Sequence, residues 1–201
     1  MSFTNAIALT GGIATGKSSV CSLLSMYGFQ IIDADKVAHQ MLSLHVGKVE
    51  KIFGSKYIDN GQVNRKKLGS LIFANATERL KLEALLHPLI KEQIEKEAAF
   101  CENKNVPYIV DIPLFFENRN YTVDEVVLVY CDQEKQLKRL IEREGLSQIE
   151  AQNRINSQMN IDDKKPLASF VIDNTKDLRH LQSEVERFVE YIRKKYKDLR
   201  V

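Results

Sequence analysis

No stretch of this chain is apolar over enough residues to cross a bilayer. The first residues lack a basic stretch, an apolar core and a cleavage site, so no secretory signal is expected. Charge of one sign is not in excess. The formal net charge is only +2, which argues against a nucleic-acid partner. The basic end from Arg193 to Arg200 is short, is interrupted by Tyr196 and Leu199, and reads as a solvated helix face. Cysteine is scarce: Cys21, Cys101 and Cys131 are odd in number and far apart. That spacing speaks against a disulfide framework or a metal site and for buried thiols in a reducing cytoplasm. His39, His45, His87 and His180 have no metal-ligand spacing, and no internal repeat or low-complexity tract is present. Neither a membrane partner nor a nucleic-acid partner is expected, and a monomer is expected, with an oligomer left open.

What the chain does have is one short, dense signal. Gly11-Gly12-Ile13-Ala14-Thr15-Gly16-Lys17-Ser18 matches G-x-x-x-x-G-K-[ST], the phosphate-binding loop. The apolar run Ala6-Ile7-Ala8-Leu9 precedes it, and Val20, Leu23, Leu24 and Tyr27 follow at helical spacing. Strand, loop and helix in that order give the motif its meaning. Glycines let backbone N–H groups turn around a phosphate, and a helix start presents its positive end there. Gly12, Ile13, Ala14, Thr15, Gly16, Lys17, Ser18 and Ser19 are therefore the expected nucleotide-binding residues. Lys17 can reach the β and γ phosphates of ATP, and Ser18 can sit on Mg²⁺.

The 201 residues leave room for one α/β domain with insertions. Strands are expected at residues 3–10, 29–32, 106–110, 124–130 and 170–172, alternating with helices. The fold expected is α/β: a mostly parallel sheet flanked by helices, of the P-loop nucleoside-triphosphate-hydrolase and kinase type. Ligands should lie outside the carboxyl ends of its strands. Residues 1–34, 104–142 and 168–201 read as the nucleotide-binding core. Residues 35–103 read as a helical insertion over the site, with a kink or break near His87 because Pro88 follows. Residues 143–167, charged and rich in amides, read as an exposed, mobile lid.

Carboxylates stand at strand ends. Asp33 ends the second strand, where it could orient or deprotonate an attacking hydroxyl. Asp35, two residues on, reads as the cap of the next helix. Asp111 ends the third strand, where it could hold the hydration shell of Mg²⁺. Glu117 faces either a cleft or solvent. Arg139, Arg143 and Arg154 read as phosphate clamps, with salt bridges to Glu142, Glu144 or Glu150 as the plain alternative. Asp173-Asn174-Thr175 could touch adenine and cap the last helix. No guanine-reading N-K-x-D motif is present. His87 alone reads as structural.

In sum the chain resembles the dephospho-CoA kinase family along nearly all its length. The matching segments are Thr10 to Ser18, Asp33-Ala34-Asp35, Leu82-Glu83 with His87-Pro88, Asp111-Ile112-Pro113-Leu114 with Phe116-Glu117, Gln136 to Leu140 with Arg143, Arg154-Ile155 with Gln158, and Ile172-Asp173-Asn174. The resemblance implies transfer of the γ-phosphoryl of ATP to the ribose 3′-hydroxyl of dephospho-CoA, with Mg²⁺, giving CoA and ADP. It implies that Asp33, Lys17 and Arg143 are catalytic, and that Arg143, Arg154 and Asn174 serve the nucleotide. It places Asp33, His87 and Asp111 on the substrate side, and Ser18 and Asp111 at the metal. Other readings of the residues are a nucleoside or nucleotide kinase of the same fold, or a nucleotide-controlled binding protein. Two positions depart from the family pattern: Ala14 and Lys176 stand where glycine is common. Alanine at 14 costs about 1 kcal/mol if the backbone there is left-handed.

Overall fold

The computed structural model describes residues 3–118 and 123–196. Its elements are β1 (Ala6–Gly11), α1 (Lys17–Met26), β2 (Ile31–Asp33), α2 (Ala34–Leu44), α3 (Val46–Phe53), β3 (Ile58–Asp59) and β4 (Gln62–Val63). Then come α4 (Arg65–Ala74), α5 (Ala76–Lys104), β5 (Tyr108–Asp111), α6 (Phe115–Asn118), β6 (Glu125–Tyr130), α7 (Gln133–Glu144), α8 (Gln148–Asn156), α9 (Ile161–Lys164), β7 (Phe170–Asp173) and α10 (Leu178–Lys195). The basic end beyond Tyr196 lies outside the described residues.

Five strands form one sheet in the order β2-β5-β1-β6-β7. β1 pairs in parallel with β5 and with β6, and β6 in parallel with β7. Leu9 stands beside Asp111, and Gly11 beside Val129. Every residue of β1 is buried, as a central strand covered on both faces requires. One face of the sheet presents Ile7, Leu9, Ile109, Val127, Val129, Phe170 and Ile172. These are alternate residues, the period of a pleated strand. Val20 and Leu24 of α1 and Leu181, Val185, Phe188, Val189 and Ile192 of α10 pack on them. Each such side chain contributes roughly 1.5–3 kcal/mol by leaving water.

The chain divides into two compact units, Met1–Ile32 with Ala98–Val201, and Asp33–Glu97. The second holds α2, α3, the hairpin of β3 and β4, α4 and most of α5. Asn60 and Gly61 join the two hairpin strands, both with positive φ, 50° and 75°. That is the signature of the two-residue turn whose twist suits a hairpin. α2 is capped by Asp33, whose Oδ1 accepts from Lys36 N at 2.9 Å. The expectation of an Asp35 cap is corrected: Asp33 holds the extended backbone a cap needs, and Asp35 is already inside the helix.

Of the kink or break expected near His87, the break does not occur: α5 runs on through Pro88. Leu82, Leu86, Ile90, Ile94, Ala98 and Cys101 form a buried stripe that crosses Pro88 without a change of phase. Pro88 and Ala84, whose carbonyl loses its helical donor, lie on the exposed face. Water can satisfy that carbonyl while the stripe keeps the helix together.

Residues 144–167 are not one exposed excursion. Ala151 and Ile155 of α8 pack with Leu140 of α7, and with Ile13 and Ala14. α8 begins with a capping box in which Ser147 and Glu150 bond each other's backbone. The amides in this segment hid a narrow apolar stripe.

Candidate active site

β1 delivers Gly11 into a loop that becomes α1 at Lys17. Gly16 has φ +91° and stands so close to Asn174 that a Cβ would lie 2.2 Å from its Nδ2. Gly12 has an ordinary φ, but a Cβ there would lie 2.5 Å from Gln136 Nε2. At both positions a side chain that grips the loop from outside stands where a Cβ would be, and at Gly16 the left-handed backbone favours glycine as well.

That grip is extensive. Lys164 Nζ donates to Gly11 O at 3.1 Å. Gly12 O accepts from Thr15 N at 3.3 Å and from Thr15 Oγ1 at 2.9 Å. Gln136 Nε2 donates to Ile13 O at 2.6 Å, and Ile13 N donates to Gln158 Oε1 at 2.8 Å. Asn174 Nδ2 donates to Thr15 O at 2.8 Å. Arg139 donates to Thr15 O at 3.5 Å and to Asn174 O at 3.2 Å. In a trans peptide the N–H lies opposite the C=O. Holding the carbonyls of Gly11, Ile13 and Thr15 outward turns the N–H groups of Gly12, Ala14 and Gly16 the other way. Together with the first N–H groups of α1 they form a concave set of donors that suits a phosphate.

Ala14 lies at φ +59°. The left-handed backbone that glycine adopts freely is thus imposed on an alanine, and the strain of about 1 kcal/mol applies. Lys176 is not among the residues with positive φ, so its departure from glycine carries no such strain.

At the strand ends, Lys17 Nζ donates to Asp111 Oδ1. Cys21 Sγ meets Asp111 Oδ2 at 3.5 Å. The carboxylate at the end of β5 thus touches two residues of α1. Ser18 is exposed at the start of that helix. Among the described residues no three His, Cys, Asp or Glu side chains converge on a metal position. A carboxylate and a hydroxyl are hard oxygen donors, the ligand type that suits Mg²⁺.

The expected arginines divide. Arg139 supports the loop. Arg143 and Arg154 are exposed and share one acceptor: Arg143 Nη2 lies 2.6 Å from Glu144 Oε1, and Arg154 Nη1 bonds Glu144 Oε2. The hydrogen bond from Arg143, ahead of the charges of both arginines, holds the Glu144 carboxyl below its ordinary pKa. Asn174 is buried beneath the loop, and its N–H donates to Tyr130 O at 2.7 Å. Its main-chain and side-chain groups, expected to face adenine, are engaged in holding Thr15, Arg139 and Tyr130. Asp177, not Asp173, caps α10 through His180 N at 2.9 Å. Burial pushes the Asp173 carboxyl up, but hydrogen bonds from Thr175 and His180 outweigh it and leave the carboxyl below its ordinary pKa. Glu117 turns away from solvent and pairs with Lys164 at 2.7 Å.

In the second unit, Asp33 ends β2 and caps α2, and its Oδ2 lies 3.2 Å from Lys36 Nζ. His87 is half-buried in α5. Sequence reasoning missed Lys164 altogether. It sits in a run of charged residues, Asp162-Asp163-Lys164-Lys165, and no spacing distinguishes it from its neighbour.

A model of the family "CoaE: Dephospho-CoA kinase" matches residues 5–180. The chain is 50% identical over 196 residues to a dephospho-CoA kinase of Sulfurimonas denitrificans, covering 98% of each. Among solved structures it is similar to a dephospho-CoA kinase from Campylobacter jejuni, with 32% identity and TM-score 0.74 over 96% of this chain and 98% of that one. A Thermus thermophilus structure gives 27% identity and TM-score 0.80 over 94% and 98%.

Proposed function

The chain belongs to the dephospho-CoA kinase family and carries out ATP-dependent phosphorylation of dephospho-CoA to CoA, and from that premise we propose how its residues divide the work. The observation that carries the reading is the loop of outward carbonyls and inward N–H groups, with the Lys17–Asp111 pair at its edge.

The N–H groups of Gly12, Ala14, Gly16, Lys17 and Ser18 hold the phosphates of ATP. Thr15 and Ser19 shape the loop and the first turn, since Thr15 bonds Gly12 O and Ser19 N bonds Gly16 O at 3.0 Å. Ile13 serves through its packing and not its N–H, which Gln158 holds. Ser18 and Asp111 hold Mg²⁺, which when bound supplies charge neutralisation on the phosphate oxygens. Lys17, Arg143 and Arg154 neutralise charge that develops on the transferring phosphoryl group.

Asp33 orients the 3′-hydroxyl of the ribose. As the new O–P bond forms and the bond to the ADP oxygen breaks, the hydroxyl proton passes to the Asp33 carboxylate and on to water. Phosphoryl transfer gains more from this positioning than from early removal of the proton. His87 contributes to the CoA side, within the helical part we assign to residues 35–103. Residues 143–167 serve as the lid that excludes water, and residues 1–34, 104–142 and 168–201 as the nucleotide core. Among the described residues no helix is long and apolar enough to cross a membrane. Three unbridged cysteines support the reducing cytoplasm as its place of work.

The test measures ADP release from Mg-ATP with and without dephospho-CoA, following product mass. Acceptor-dependent ADP with a matching gain of one phosphate supports the reading. ATP binding without such turnover sinks it.

A further inference from the structure

Lys164 is fully buried, yet nothing in the phosphoryl-transfer chemistry uses it. A buried ammonium costs several kcal/mol unless it is paired and hydrogen-bonded. Here it has both partners: Glu117 Oε1 at 2.7 Å and Gly11 O at 3.1 Å. Glu117 Oε1 also accepts from Met159 N at 3.2 Å, five residues before Lys164 in the chain. Ile161, one turn ahead of Lys164 in α9, places its Cδ1 3.4 Å from where a Cβ on Gly12 would be. One short segment therefore packs against both opening glycines of the loop, one by contact and one by charge.

Gly11 is the last residue of β1, where the sheet stops dictating the direction of the peptide. The carbonyl of Gly11 and the N–H of Gly12 belong to one rigid plane. Whatever holds that carbonyl sets the first N–H of the loop. The later carbonyls, of Ile13 and Thr15, are held by neutral amides and Arg139 from α7 and from the end of β7. Among the described side chains that hold these carbonyls, Lys164 alone comes from residues 143–167; Gln158, from the same stretch, holds the N–H of Ile13 instead.

We propose that Lys164 is a positioning residue of the phosphate loop: through Gly11 it fixes the plane that aims the Gly12 N–H at the nucleotide. Glu117, paired with the ammonium at 2.7 Å, keeps it aimed. This rests on the reading of the loop as the ATP site.

The test compares wild type, Lys164→Met and Lys164→Arg in steady-state kinetics and in Mg-ATP binding by calorimetry, below the melting temperature of each. Lys164→Met is expected to raise the KM for ATP by about tenfold or more. The KM for dephospho-CoA should stay within about twofold. Lys164→Arg, which keeps a cation and a donor, should recover most of the ATP affinity. If Lys164→Met melts earlier but keeps the wild-type KM and affinity for ATP, the residue is structural and the proposal fails. It fails also if arginine rescues nothing. Should Lys164→Met not fold, Lys164→Met with Glu117→Gln removes both charges and gives the same reading. If that pair does not fold either, the contact is a folding requirement and the proposal is overturned. Failure of the functional reading would show separately, as wild type that neither binds Mg-ATP nor turns it over.

Discussion

Lys17 Nζ and Asp111 Oδ1 are joined directly, so the cation at the end of the loop and the carboxylate at the end of β5 compensate each other. The contact forms between the first residue of α1 and the last of β5, and both side chains are largely shielded from water. In the proposed reading, binding of Mg-ATP gives each charge a new partner. Asp111→Asn keeps the shape but removes the charge. It is expected to lower kcat on the order of a hundredfold and to raise the Mg²⁺ concentration needed for half-maximal rate. A magnesium titration of the rate checks this. An unchanged midpoint would remove Asp111 from the metal.

Asp33 caps α2, and substitutions can separate that task from the role we propose for it toward the hydroxyl. Asparagine caps a helix as well as aspartate does, whereas alanine does not. Asp33→Asn is therefore expected to keep the stability and lose roughly 10²–10⁴-fold in kcat. Asp33→Ala should lose the rate and, in addition, about 1 kcal/mol of stability. Denaturant unfolding beside kinetics decides it. Full activity of Asp33→Asn would end the assignment of the hydroxyl to Asp33.

Ala14 is strained at φ +59°. Ala14→Gly removes that strain but adds freedom to the unfolded chain, a cost of about 0.5–1 kcal/mol. The net change expected is small, from none to about 0.5 kcal/mol of stabilisation, with ATP affinity retained. A β-branched residue there should destabilise. Chemical unfolding of the glycine and valine variants tests both signs, and a valine variant as stable as wild type would contradict the strain.

Glu144 binds both arginines assigned to the phosphoryl group. Both arginine side chains are exposed and that of Glu144 is partly so, and the pairs themselves add little stability. Arg143→Ala and Arg154→Ala should each lower kcat by about tenfold or more with little change in melting temperature. Glu144→Gln frees both arginines and should lower the KM for ATP. A raised KM would mean that Glu144 holds them in their working positions.

Burial pushes the Cys131 thiol up to about 11, from an ordinary value of 9.0. The folded state holds that proton more tightly than the unfolded state. The stability it lends is complete below pH 9 and is lost as pH rises toward 11. Cys101 is raised in the same direction, first by burial and then by Glu102. A thiol reagent at neutral pH should label both only after unfolding, while half-buried Cys21 reacts in the native protein. Rapid native labelling of Cys131, mapped by peptide mass, would contradict its burial.

Much of this protein was legible in one dimension because its signals are local. The loop from Gly11 to Ser18 is contiguous, and its donors are backbone groups whose placement follows from glycine positions and the start of a helix. The alternating strands and helices carry their periods in short windows, and carboxylates at strand ends declare themselves by the apolar runs before them. Gly28, at φ +89°, closes α1 as its place after Tyr27 implies. What the tertiary structure alone decided is which side chains hold those backbone groups in place. Lys164 reaches Gly11 across 153 positions, and Asn174 reaches Thr15 across 159. No local pattern separates Lys164 from Lys165, because a lysine's burial is a property of what packs over it. The same holds for Pro88, tolerated because an apolar stripe on the opposite side binds the helix, and for Ala14, whose left-handed backbone is imposed by the grip on its neighbours. Short-range chemistry named the reaction, and long-range packing determined the geometry in which it takes place.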